Sequence, residues 1–211
     1  MWATFLSDGI KNAAEKVSKI TDVDILINLA GISYFGSLGL QKFEEIEKLY
    51  NVNVLAPTIL SQAVLPEMIK NRSGHIVNIG SIFGSIAFPF FATYSASKSA
   101  LRGFSEALRR EVCDSQINVS YVAPRAVKTS INEGDVSKFL AETKAVIDEA
   151  EAVAKKILKI VKTPKSYSYF GFPECLFVRL NYLLPSLVSS SLTKQSEIAK
   201  RILLEGFKKR N

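Results

Sequence analysis

Tyr94 and Lys98 stand four residues apart in the stretch Tyr94-Ser-Ala-Ser-Lys98. On a helix that spacing places both on one face. An ammonium beside a phenol stabilises the phenolate, which lowers a Tyr pKa from its usual value of about 10. A Tyr tuned in this way gives or takes a proton near neutral pH. Ser81 precedes Tyr94 by thirteen residues. A hydroxyl brought beside the phenol would hold a carbonyl or alkoxide oxygen. Taken alone, Tyr-x-x-x-Lys also describes two unrelated surface residues on a helix.

The flanking elements decide whether these groups can meet. The apolar run 76–79 predicts a buried strand that ends at Ser81, and the run 96–112 predicts a helix with Tyr94 and Lys98 in its first turns. Two further short apolar or β-branched runs, 24–28 and 117–122, have the character of buried parallel strands, and the alternating stretch 166–170 predicts a final one. Helical patterns lie between them. Residues 43–68 repeat apolar positions along one face, with Pro57 expected to kink or reset the helix. Residues 149–161 form an amphipathic helix, and 131–143 a charged, mobile lid on the substrate side. Residues 2–6 read as the end of a strand, with a helix starting at Ser7-Asp8. Strands alternating with helices make a doubly wound α/β fold with a parallel sheet.

The 211 residues suit one domain with a sizeable core, and 47% hydrophobic with 22% charged residues is ordinary globular composition. The net charge of +7 permits phosphorylated cofactors, anionic lipid or nucleic acid, and is most simply a solvated basic surface. No nucleic-acid-binding module is recognisable, so no nucleic acid is expected as a partner. Cys113 and Cys175 have no metal spacing, and reduced thiols in a cytoplasmic chain are the default. His75 is the only histidine and reads as structural, so no metal site is expected. The first residues lack the build of a signal peptide, and no run reaches the ~18 apolar residues of a spanning helix.

Asn28-Leu-Ala30-Gly31, Asn51-Val-Asn53, Ser81, and Tyr94 with Lys98 occur in this order and at these spacings. Together they resemble the short-chain dehydrogenase/reductase family. The resemblance covers residues 6–129 closely and continues more loosely toward the C-terminus. It implies a Rossmann-like sheet, NADP or NAD as cofactor, and hydride transfer between the nicotinamide and a carbonyl or alcohol substrate. Tyr94 would be the acid/base. Lys98 would tune it and bind the nicotinamide ribose, Ser81 would hold the substrate oxygen, and Asn53 would open its helix locally and order a relay water. Asn28, Ala30 and Gly31 would line the adenosine portion and steady the sheet. Pro124, Val127 and Thr129 match the loop that walls the nicotinamide, with Pro124 and Thr129 as cofactor contacts. Leu29 departs from the Asn often found in the second motif position, and Arg125 stands where the family has Gly. The role of Arg125 is open. The resemblance also implies a homo-oligomer formed through helices 43–68 and 92–112.

A dinucleotide-binding domain begins with a strand, a Gly-rich turn and a helix. None of the eleven glycines forms that turn. Residues 6–8 look like the end of the family's third strand, Phe5 like the position of an adenine-contacting Asp, and the first two strand-helix units are not in the sequence. The strand 24–28 would then present a bare apolar edge. Two readings follow: part of a longer reductase, or a catalytically inactive relative that binds or assembles. Residues 1–172 read as a partial catalytic core and 173–211 as a C-terminal amphipathic extension of the same domain. That extension is rich in Leu, Phe and Val up to residue 192 and carries Lys194, Lys200, Arg201, Lys208, Lys209 and Arg210 after it. It is a pocket cover or subunit contact. Alternatively it lies on anionic membrane, with a lipid-derived substrate and a peripheral location.

Overall fold

Four short segments with few charged side chains build the sheet: β1 (Ile25–Asn28), β2 (Gly74–Ile79), β3 (Ile117–Ala123) and β4 (Tyr167–Tyr169). In this computed structural model, which describes residues 2–20 and 23–208, they pair in the order β1-β2-β3-β4. All three pairings are parallel. Parallel neighbours need crossovers. Helices supply them: α1 (Trp2–Ser18) precedes β1; α2 (Phe43–Tyr50) and α3 (Ala56–Asn71) link β1 to β2; α4 (Ala92–Glu111) links β2 to β3; α5 (Asp135–Glu142) and α6 (Ala150–Lys162) link β3 to β4. Three further helices follow: α7 (Glu174–Leu183), α8 (Pro185–Ser191) and α9 (Thr193–Lys208). This is the α/β architecture expected, with each strand within about two residues of its predicted span.

The start of the chain differs from its reading. Residues 2–6 belong to α1 and not to a strand. Trp2, Leu6, Ile10, Ala13 and Val17 recur at helical spacing, so one periodicity runs through the whole segment. Val17 packs beside Val64, Met68 and Ile76, and α1 lies against α3. The side chain of Phe5 lies outside the described residues.

The helical run Phe43–Asn71 has 29 residues, and its most apolar 18-residue window has a mean hydropathy of 1.3, enough by length and composition alone to cross a bilayer. Here Leu49, Val64 and Met68 are buried, and α3 packs against β1, β2 and α1. Pro57 does reset this helix. Residues Asn51–Leu55 form a π turn, and the Ala56 N–H reaches back to the Asn51 carbonyl. Proline has no N–H to offer the carbonyl four residues earlier, and a π turn absorbs the interruption. Hydroxyls take up neighbouring carbonyls: Thr58 Oγ1 donates to Val54 at 2.8 Å and Ser61 Oγ to Pro57 at 2.7 Å.

The segment 131–143, expected to be a mobile lid, is docked. α5 buries Phe139 and Leu140 against Phe91 and against Ala199 and Ile202 of α9. Residues 178 and 188 of the C-terminal extension pack on Ile82, Ile86 and Tyr121.

Candidate active site

Ser81 lies two residues beyond the end of β2 in an extended conformation and caps a short 3-10 turn, Ile82–Gly84. Its Oγ accepts the Phe83 N–H at 3.1 Å and lies near enough to the Tyr94 phenol to lower its pKa. Tyr94 and Lys98 occupy the first turns of α4, as their spacing requires. Lys98 is 4% exposed and its Nζ donates to the Ile79 carbonyl at 3.1 Å. The ammonium lies 5.9 Å from the Tyr94 ring centroid. Burial depresses the Lys98 pKa to about 8.

The Tyr94 phenol runs opposite to expectation. Burial raises its pKa, and the nearby Ser81 hydroxyl pulls back only part of that rise. The lowering predicted from the Tyr/Lys pair needs the ammonium at the phenol oxygen. Lys98 instead lies toward the ring and bonds the end of β2.

Asn53 sits in the π turn and is 1% exposed. Three of the four hydrogen bonds that its amide can make go to two partners. Oδ1 accepts the Ile32 N–H at 2.9 Å, and Nδ2 donates to the Ile32 carbonyl at 2.8 Å and to Ser97 Oγ at 2.9 Å. The side chain therefore clamps the strand exit after β1 to α4. Gly31 lies in the same cluster. A Cβ there would stand 3.1 Å from Lys98 Nζ and 3.3 Å from Asn53 Oδ1. The bare backbone is what lets those two groups come so near.

Asn28 points elsewhere. It donates to Asn78 Oδ1 at 2.8 Å, and Asn78 donates to Ser105 Oγ at 2.8 Å. This buried polar ladder fixes β1 and β2 in register beneath α4. Ala30 is exposed. The Pro124 carbonyl accepts the Ile82 N–H at 3.2 Å, which ties the loop leaving β3 to the Ser81 turn. Thr129 is on the exposed stretch of that loop, donating to the Val127 carbonyl at 3.3 Å and lining an open cleft with Lys128, Ser130 and Asn132. Thus Gly31, Asn53, Ser81, Tyr94 and Lys98 gather around one centre, Asn28 underlies it, and Thr129 stands in the neighbouring cleft.

Arg125 turns away from that centre. Nη2 pairs with Asp148 at 2.7 Å and Nη1 with Glu174 at 3.4 Å, the arginine side chain being 16% exposed. These bonds hold its pKa above the ordinary arginine value. A Cβ on Gly171, whose φ is +110°, would lie 2.7 Å from Arg125 Cδ. The guanidinium joins the β3 exit loop to the segment before α6 and to the start of α7.

Three participants were missed in the sequence. Ser97 and Ile32 hold Asn53, and Tyr121 lies under Ser81. The signal for Tyr121 is a phenol set among the β-branched residues of a buried strand, where its hydroxyl must find a partner. Beyond Tyr94 lies an aromatic wall. Phe83 and Phe88 stack at 4.5 Å, Phe35 and Phe91 at 4.8 Å, and Phe139 closes on three of these four rings. Among the described residues no cluster of three His, Cys, Asp or Glu side chains has the arrangement of a metal site. Both cysteines are free thiols.

A parallel sheet crossed by helices, with Ser, Tyr and Lys joined at its strand ends, defines a class of protein, and comparison with known proteins agrees. Residues 6–139 match the short chain dehydrogenase family, and the chain belongs to it. It is 36% identical over 208 residues to dehydrogenase/reductase SDR family member 7B of Xenopus laevis, covering 95% of this chain and 64% of that protein. The chain therefore spans less than two thirds of that relative's length. Among solved structures, a short-chain dehydrogenase from Sphingobium yanoikuyae in complex with NADPH aligns with a TM-score of 0.72 at 27% identity, over 85% of this chain and 70% of that one. A short chain dehydrogenase from Burkholderia cenocepacia in complex with NADP aligns with a TM-score of 0.75, over 87% and 74% of the two chains. At 21% identity it attests the fold.

Proposed function

We propose that this chain carries the proton-transfer half of an NAD(P)-dependent oxidoreductase acting on a carbonyl or alcohol. The observation that carries the reading is the gathered trio: Tyr94 with Ser81 beside its phenol and the Lys98 ammonium buried 5.9 Å from its ring centroid. A bound nicotinamide supplies or accepts the hydride. Tyr94 gives the proton to the substrate oxygen during reduction and takes it back during oxidation. Ser81 holds that oxygen through its hydroxyl. Lys98 spends one of its three N–H donors on Ile79, which leaves two for ribose hydroxyls. The bare backbone at Gly31 fits close approach of such a group, since any side chain there would meet Lys98 and Asn53. The similar structure solved with NADPH supports this cofactor class. Asn53 fixes the strand exit, and a relay water beside it belongs to the same proposal.

The test is turnover. The chain is incubated with NADPH or NADH and a panel of ketones and aldehydes, with nicotinamide absorbance as the readout. Tyr94→Phe should lower kcat by about 10²–10⁴ and leave cofactor binding in place. Undiminished turnover in that variant overturns the assignment. An unmutated chain that neither turns over nor binds either nucleotide fits both part of a longer reductase and an inactive relative that binds or assembles, and the same assay on a chain extended to include a Gly-rich turn separates them. Ile25 and Ile27 of β1 and Leu29 just after it are all more than 40% exposed, an edge that either reading leaves to a further strand or a partner.

We also propose a peripheral membrane contact for a cytoplasmic chain, with lipid-derived substrates reaching the site from that side. Leu176, Phe177, Leu183, Leu184 and Leu187 are exposed along α7 and α8, while Val178 and Val188 hold those helices to the core. Exposed Lys194, Lys200 and Arg201 follow on α9; Lys209 and Arg210 lie outside the described residues. Sedimentation with anionic vesicles, lost at high salt, supports the contact. Supernatant with both anionic and neutral vesicles at low salt rejects it and leaves a subunit contact. A homo-oligomer through residues 43–68 and 92–112 is proposed on the exposed Phe43, Tyr50 and Leu55, and sedimentation velocity tests it.

A further inference from the structure

Ser81 leaves β2 at a point where three elements converge, and one side chain occupies the junction. Tyr121, in the middle of β3, is fully buried. Its hydroxyl accepts the Ser81 N–H at 3.4 Å and faces the Ser81 carbonyl at 3.2 Å and the Lys98 carbonyl at 3.5 Å. One oxygen thus touches both main-chain polar atoms of Ser81 and the main chain of Lys98. Two glycines make room for it. A Cβ on Gly80 would lie 2.2 Å from the Tyr121 ring, and one on Gly84 would lie 2.6 Å from its hydroxyl. Tyr167 and Tyr169 brace the ring from the β4 side, with centroids at 6.3 and 6.5 Å.

A Phe would fill the same volume. The hydroxyl is needed because a buried polar group without a partner is costly, and here that applies to both ends of the contact. It acts as a bracket between the strand that carries Ser81 and the helix that carries Tyr94 and Lys98. We propose that Tyr121 is a positioning residue, whose hydroxyl holds the Ser81 backbone so that the Ser81 side chain meets the Tyr94 phenol. The inference rests on the reading of Ser81 and Tyr94 as a working pair. Tyr121 itself stays protonated, because burial raises its pKa far above neutrality.

The test reads Tyr94 directly and needs no turnover. The chain is labelled with ¹³C at the tyrosine ζ carbon and titrated by NMR, with Tyr94→Phe assigning the resonance. Since the nearby Ser81 hydroxyl lowers the Tyr94 pKa, Ser81→Ala should move the titration to higher pH. Tyr121→Phe should move it the same way, and Tyr167→Phe should not. A folded Tyr121→Phe chain with Tyr94 unmoved, while Ser81→Ala moves it, overturns the positioning role and leaves the proposed function standing. If Ser81→Ala also fails to move Tyr94, the Ser81–Tyr94 pair fails and the positioning role falls with it. Should Tyr121→Phe not fold, hydrogen exchange at the Ser81 amide of the unmutated chain decides: protection supports the bracket, and exchange as fast as an exposed loop amide overturns it.

Discussion

On one side of Tyr94 every neighbour is fixed by directional bonds; on the other, by ring contact. Asn53, Ser97 and Lys98 are held to the main chain at Ile32, Tyr94 and Ile79. Phe35, Phe83, Phe88, Phe91 and Phe139 hold one another through stacked and edge contacts. The difference teaches where each wall will tolerate change. Hydrogen-bonded groups depend on atom identity, because removing one partner strands the other. Ring clusters depend on volume, because shape-conserving swaps cost little. The polar wall fixes a geometry and the aromatic wall excludes water.

The largest effect should come from emptying the aromatic wall. Phe139→Ala should cost about 3–5 kcal/mol in urea unfolding, and Phe139→Leu less than half of that. Equal losses would mean that shape is not what holds this wall. Next is the pH dependence of the polar wall. Lys98 has a folded pKa near 8 against 10.5 unfolded, so the unfolded chain binds more protons between those values. Stability should therefore rise with pH through that window, by about 3 kcal/mol at most. Below pH 8 both states are protonated and the full burial cost is present. Lys98→Met should flatten that rise in denaturation curves, and an unchanged slope assigns it to another group. Asn53→Ala should follow at about 2 kcal/mol, since it strands the Ile32 N–H and carbonyl; a loss within error would show that water replaces the amide. The smallest change is outside both walls. Arg125→Lys keeps the charge and loses the fork, and should cost about 1 kcal/mol, read as a small drop in Tm.

The strands and the Ser81, Tyr94 and Lys98 set were legible because each is a local pattern. Asn53 was legible only through its family likeness, since an Asn within a helix gives no local hint of partners 21 and 44 residues away. Arg125 was undecidable for the same reason: its carboxylates are 23 and 49 residues distant. The Tyr94 pKa direction was misread because spacing locates a charge, whereas burial depends on the whole fold. Residues 2–6 were misread because a five-residue apolar window fits a strand or a helix equally well, and only the longer periodicity decides.

The wide turn at Asn51–Leu55 carries one more residue than an α turn would need. Excising a single residue there would force the backbone toward a regular helix, in which Pro57 leaves one carbonyl without its N–H. Everything after it would rotate by about 100° and slide by about 1.5 Å. Ser61, Val64 and Met68, now facing inward, would swing off the sheet together, and α1 would lose the surface on which it rests. The extra residue is thus a phase setting: it lets one long helix present Asn53 at its middle and a correctly aimed core stripe along its second half.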